Sequence, residues 1–160
     1  LPAFATQVLG AGAWEYGLLK LATGVGSALS LIALASLGRM HRKGLFLFYS
    51  GIIMGLAMVA FSISRWLPLS MVMLMLVGGM NNAFMTVDST LVQSRVSDDM
   101  RGRVMGWREM VRGFSPAGSL LAGSIADAMG PPMGAGVVGG GTLAISLGLF
   151  FLLPRMRWLE

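Results

Sequence analysis

Cysteine is absent from all 160 residues and histidine occurs once. Without thiols there is neither a disulfide framework nor a thiolate metal site. His41, alone among basic neighbours in HRK, reads as a solvated side chain and not as a metal ligand. No His, Asp and Glu fall at metal spacing and no nucleophile has a base beside it, so the expectation is no metal, no cofactor and no catalysis. Charge is also scarce. Only 12% of the residues are charged, where a soluble domain carries roughly a quarter. Acids are the scarcer kind, seven against twelve bases, giving a net charge of +5 and a pI near 10.8. In a soluble protein that balance would suggest nucleic acid. Here the bases sit in short islands between long apolar runs and make no basic face, so a nucleic-acid partner is excluded.

What fills the chain instead is apolar: 55% hydrophobic residues with fourteen methionines and twenty-three glycines, at a mean hydropathy of +0.74. Such a composition suits closely packed helices in a lipid bilayer. A helix needs about 20 apolar residues to cross ~30 Å of hydrocarbon. The sequence offers five such stretches, at 14–37, 44–64, 66–92, 103–127 and 133–153, so the expected fold is an all-α integral membrane bundle of about five transmembrane helices. The chain opens on Leu1–Pro2, with no methionine and no basic stretch before an apolar one, and reads as the interior of something longer, without a signal peptide. The islands GRMHRKG (Arg39, Arg42, Lys43) and SRVSDDMRGR (Arg95, Arg101, Arg103), and the tail with Arg155 and Arg157, fall on one side of five spans. The positive-inside rule then puts the fragment's N-terminus outside and its C-terminus in the cytoplasm, across the plasma (inner) membrane.

The fourth span is the awkward one. Its uncharged part, Gly113 to Ala126, is too short to cross at 1.5 Å per residue. Beginning the helix near Arg103 repairs the length and takes Arg108, Glu109 and Arg112 into the membrane. Arg101, Met105, Arg108 and Arg112 then share one face, and Glu109 lies within pairing distance of Arg112. An arginine facing lipid at mid-membrane costs about 2.5–3.5 kcal/mol on the mildest scale, so this face must look at protein or at a polar pathway. The bland alternative keeps Arg112 at the interface, snorkelling. Gly102-x-x-x-Gly106, Ser119-x-x-x-Gly123 and Ala122-x-x-x-Ala126 allow close helix packing, with Gly118 beside them, and Pro116 predicts a kink.

The third span repeats the theme. MNNAFMTVDSTLVQ sets Asn81, Met85 and Asp88 on one stripe and Asn82, Thr86 and Gln93 on the next. The asparagines either line a cavity or bond neighbouring helices, and Asp88 is as suited to pairing a loop arginine as to carrying a proton. The second and fifth spans hold no charge and read as peripheral, lipid-facing helices around a cavity walled by the first, third and fourth.

SDDMRGRVMG followed by SPAGSLLAGSIAD resembles the loop and helix joining spans ten and eleven of the major facilitator superfamily, in the group of enterobactin-exporter-like and macrolide-efflux-like proteins. LPAFATQVLGAGAWEYGLLKLATGVGSAL is similar to that group's end of span seven leading into span eight. The resemblance, from Leu1 to about Leu153, implies that residues 1–160 are the C-terminal half of a twelve-helix secondary transporter. It implies an N-terminal half as partner, a small drug- or siderophore-like substrate and proton-coupled efflux by alternating access. Glu109 is then the candidate proton carrier, Asn81, Asn82, Asp88, Arg108 and Arg112 lie on the substrate or proton path, and Asp98, Asp99, Arg101, Gly102 and Arg103 form a cytoplasmic gate loop. GRMHRKG keeps Gly38, Arg42 and Gly44 of the family's G-x-x-x-D-R-x-G-R pattern but lacks its acid, so a gating salt bridge from that loop is not expected. The competing expectation is a five-helix scaffold or assembly subunit that transports nothing.

Overall fold

The computed structural model describes residues 13–36 and 43–152. The N-terminal stretch, the basic loop with Arg39, His41 and Arg42, and the tail with Arg155 and Arg157 lie outside the described residues. So do the side chains of Lys43, Arg95, Asp98 and Arg101. Among the described residues six helices follow one another: α1 (Ala13–Ser36), α2 (Lys43–Ile63), α3 (Leu67–Arg95), α4 (Asp98–Gly113), α5 (Ser115–Met129) and α6 (Pro131–Leu152). Four of them, α1, α2, α3 and α6, are long and apolar enough to cross a membrane. With no strand among the described residues, the chain is an all-α integral membrane bundle.

The fourth expected span is where the structure differs from the simplest reading. It is helical from Asp98, earlier than Arg103, but is interrupted at Phe114. Pro116 explains the position. It has no N–H to give the carbonyl of Arg112, and its ring crowds that carbonyl. The ladder is therefore rebuilt from the next turn, where Ala117 N–H bonds Phe114 O at 3.0 Å. The expected kink is a one-residue interruption at Phe114 that divides the span into α4 and α5, each shorter than a membrane span. At the other end Gly130, with φ of +93°, turns the chain from α5 into α6; that left-handed backbone suits a residue without Cβ.

Packing runs in the order α1 on α3, α3 on α2, α2 on α6 and α6 on α5. Lipid tails are as apolar as leucine, so close fit and not hydrophobicity holds these pairs together. Glycines mark the contacts. A Cβ on Gly26 would collide with the carbonyl of Met75, and one on Gly78 with the carbonyl of Thr23. Ser27 Oγ, beside them, lies 3.2 Å from the Gly78 carbonyl. The α2–α6 pair is antiparallel, with Gly55 against Leu143 and Gly139 against Met58 and Val59. Between α5 and α6, Ala122 and Ala126 of the expected small-residue stretch meet Gly134. No neighbour stands within 4 Å of a Cβ built on Gly102, Gly106, Gly118 or Gly123, so the close packing expected at those glycines is not made within the described residues.

The core is off-centre. Leu19, Phe61 and Leu74 are sealed together with Tyr16, Met58, Leu67, Met71, Met73 and Ala135 around them. These residues come from the starts of α1, α3 and α6 and the end of α2. The α2–α3 turn closes this end with a buried hydroxyl pair, Ser70 Oγ to Ser64 Oγ at 3.0 Å. The second span, expected at the lipid-facing periphery, is the most buried of the four membrane-length helices and packs against both α3 and α6. Its lack of charge suited either location equally.

Candidate functional site

At the opposite end of the bundle α2, α3 and α6 diverge around a cavity of about 850 Å³. Leu47, Phe48, Phe84, Ile145 and Leu149 stand in its apolar wall, with Gly51, Ser50 and Ser146 among its small residues. Phe48 and Phe150 hold α2 to α6 in an edge-to-face contact, centroids 5.8 Å apart. The stripe Asn81, Met85, Asp88 lines this cavity, as its spacing on one helical face requires. Asn82 does not line it; its carbonyl accepts the Thr86 hydroxyl at 2.9 Å. The expected walls of first, third and fourth spans are thus replaced by α2, α3 and α6. A polar stripe identifies one wall of a cavity, but apolar helices that complete it carry no comparable signal.

The charged residues of α3 and α4 meet at the edge of the cavity. Arg108 Nη2 donates to Asp88 Oδ2 in an ion pair and to Ser89 Oγ at 2.9 Å. One helical turn on, Arg112 Nη1 donates to Glu109 Oε1 at 2.7 Å, and its Nη2 reaches the Met85 sulfur at 3.8 Å. Residues 85, 88 and 89 share one face of α3, and 108 and 112 share one face of α4. The two faces oppose each other across the short turn at Val96 and Ser97, so α4 folds back along the end of α3. The Arg108 and Asp88 side chains are 15% and 33% exposed, whereas Arg112 and Glu109 are 44% and 65% exposed. Asp88 is committed to holding α4, while Glu109 is the open carboxylate of the pair of pairs.

Asn81 is exposed toward the cavity, where its amide reaches the Met54 sulfur at 3.8 Å, a weak acceptor. Of the gate-loop residues, Asp99, Gly102 and Arg103 are exposed, and Asp98 and Arg101 occupy the first turn of α4. Acids opening a helix suit its positive end. Reading the sequence alone misses Ser89 and Met85 as partners of the arginines. The signal was present in the i, i+3, i+4 spacing of Met85, Asp88 and Ser89. No group of three or more His, Asp or Glu among the described residues is placed to hold a metal.

The chain is 28% identical over 153 residues to the multidrug efflux pump Tap of Mycolicibacterium fortuitum, a match covering 91% of this chain and 36% of that protein. It is 28% identical over 144 residues to the enterobactin exporter EntS of Citrobacter koseri, and equally to EntS of Salmonella choleraesuis. Each of these matches covers 89% of this chain and 35% of the exporter. The chain therefore spans little more than a third of the length of the curated relatives it matches. No family model and no solved structure matches it. The relatives are an efflux pump and exporters by name, the group that SDDMRGRVMG and SPAGSLLAGSIAD resemble.

Proposed function

We propose that this bundle is part of a secondary active transporter of the major facilitator type, which exports a small drug- or siderophore-like molecule across the inner membrane. The observation that carries the reading is the similarity, over about nine-tenths of the chain, to an efflux pump and to exporters. What supports it physically is that the ion pairs of α3 and α4, Arg108 with Asp88 and Arg112 with Glu109, stand beside a cavity between membrane-length helices. Charges are kept in membrane helices where they pair, line a pathway or move.

The residues divide the work as follows. Asp88, Arg108 and Ser89 fix α4 against α3. Glu109, open on one side and held by Arg112 on the other, carries the transported proton. Asn81 contributes a polar group to the path, and Asp98, Asp99, Arg101, Gly102 and Arg103 form the cytoplasmic gate, with the fragment's N-terminus outside. The break at Pro116 lets α4 shift while α5 stays packed on α6. Alternating access needs a second bundle to rock against this one, supplied by an N-terminal half of the longer protein.

The test uses the full-length protein in inverted membrane vesicles. Export of a fluorescent drug panel should depend on an imposed proton gradient, collapse with an ionophore and ignore ATP. Export that survives the ionophore and needs ATP would overturn proton coupling. A protein that reaches the membrane and moves nothing under either condition would identify a scaffold instead.

A further inference from the structure

Between their ends, the four membrane-length helices contain a single basic residue, Lys20. It lies in α1, six residues past Trp14 and about 9 Å along the axis. Its side chain is exposed and has no ion pair or hydrogen bond among the described residues. The acids among those residues are occupied or misplaced for it. Asp88 pairs with Arg108 and Glu109 with Arg112. Glu15 stands five residues back, about 140° away around the helix. Asp98 and Asp99 follow the far end of α3, and Asp127 is on α5, the last helix in the packing order from α1.

The face that carries Lys20 is not the one suited to lipid. Helical spacing divides α1 into three faces. Leu19, Ala22 and Gly26 are buried on the α3 side. Trp14, Leu21, Val25, Leu29 and Ile32 form an exposed stripe of large apolar side chains, as lipid requires. Beside it run Gly17, Lys20, Gly24 and Ala28, all exposed. A Cβ built on Gly17 or Gly24 meets nothing within 4 Å, so the lysine stands in open space between two residues without side chains. A charge so placed in a membrane helix pairs or lines a pathway. Lys20 is absent from the lining of the α2–α3–α6 cavity, so it marks a separate place on the bundle.

We propose that Lys20 is a substrate-binding residue, whose ammonium holds an anionic oxygen group of an amphipathic molecule as it passes α1. An ammonium is a compact point charge with three donors, and the bare backbone at Gly17 and Gly24 gives such a molecule room to approach it. The proposal rests on the transporter reading and adds the charge of the cargo and the residue that selects it. The test measures dye binding by fluorescence anisotropy to the full-length protein in nanodiscs of phosphatidylcholine and phosphatidylglycerol. Fluorescein, which carries a carboxylate, is compared with rhodamine 123, a cation on the same ring frame. Lys20→Gln should weaken fluorescein binding about tenfold or more and leave rhodamine 123 unchanged or tighter, while Lys20→Arg keeps most of the fluorescein affinity. Equal loss of both dyes would give Lys20 a structural role and overturn the proposal. Equal fluorescein binding by wild type and the Gln variant, or none by either, would also overturn it; phosphatidylglycerol retained by wild type alone would then assign the lysine to a lipid headgroup. The readout does not depend on transport. A Lys20-dependent fluorescein site in a protein that exports nothing keeps the anion site and removes the transporter reading, and export with no such site does the reverse.

Discussion

The two ends of the α2–α3–α6 bundle are built from the same kinds of residue and finish differently. At one end Leu19, Phe61 and Leu74 are enclosed by residues of four helices and a serine-bonded turn. At the other, Leu47, Phe84, Ile145 and Leu149 are as apolar but surround a groove. Hydrophobicity cannot account for the difference, since lipid, core and groove are all apolar surroundings. The contrast teaches that in this chain close backbone approach decides which end shuts: Gly26 and Gly78 bring α1 onto α3, and Gly139 brings α6 onto α2. Beyond those contacts α2 stays on α6 through Gly51 against Ser146 and Phe48 against Phe150, the groove opens beside α3, and the charged cluster of α3 and α4 stands at its margin.

Phe61→Ala should break the comparison most severely. It empties the closed end and should cost about 3–5 kcal/mol, read as lower thermal stability and yield of the full-length protein in detergent. Gly26→Val should follow, at about 2–3 kcal/mol, because the clash is with the Met75 backbone, which cannot rotate away. Ile145→Ala sharpens the contrast. A groove covered by the rest of the full-length protein should make it cost about 2 kcal/mol like a core residue; a cost within ~0.5 kcal/mol, as expected for an exposed position, would leave the groove open to lipid. The smallest effect should come from Asp88→Ala, about 1–2 kcal/mol, since the pair with Arg108 is partly exposed and screened. Arg108→Asp with Asp88→Arg should restore part of that loss, whereas a mere packing role would not respond to the exchange.

How much of this was legible beforehand divides along physical lines. Charge-free length identified the four membrane-length helices, because crossing ~30 Å of hydrocarbon leaves few alternatives. The Asn81, Met85, Asp88 stripe and the Glu109–Arg112 pair followed from helical spacing, and each is found where that spacing puts it. The neighbours of α2 were not legible, since a Leu, Ile and Gly helix fits equally against lipid or another helix. Nor was the partner of Arg108, because ion pairs between helices depend on how α4 folds back, which no local pattern records. The glycines show the same limit. Gly26 and Gly78 make contacts that no motif announced, while Gly106 and Gly123, spaced for packing, meet no neighbour among the described residues.

The most direct test of the account is export by the full-length protein carrying Glu109→Gln, in cells stripped of their own efflux pumps. Drug accumulation is measured against wild type at matched membrane abundance. The account predicts that wild type lowers accumulation and that the Gln variant, folded and inserted to the same level, loses at least tenfold of that export. Export by the Gln variant at the wild-type rate would contradict it and remove Glu109 from the mechanism.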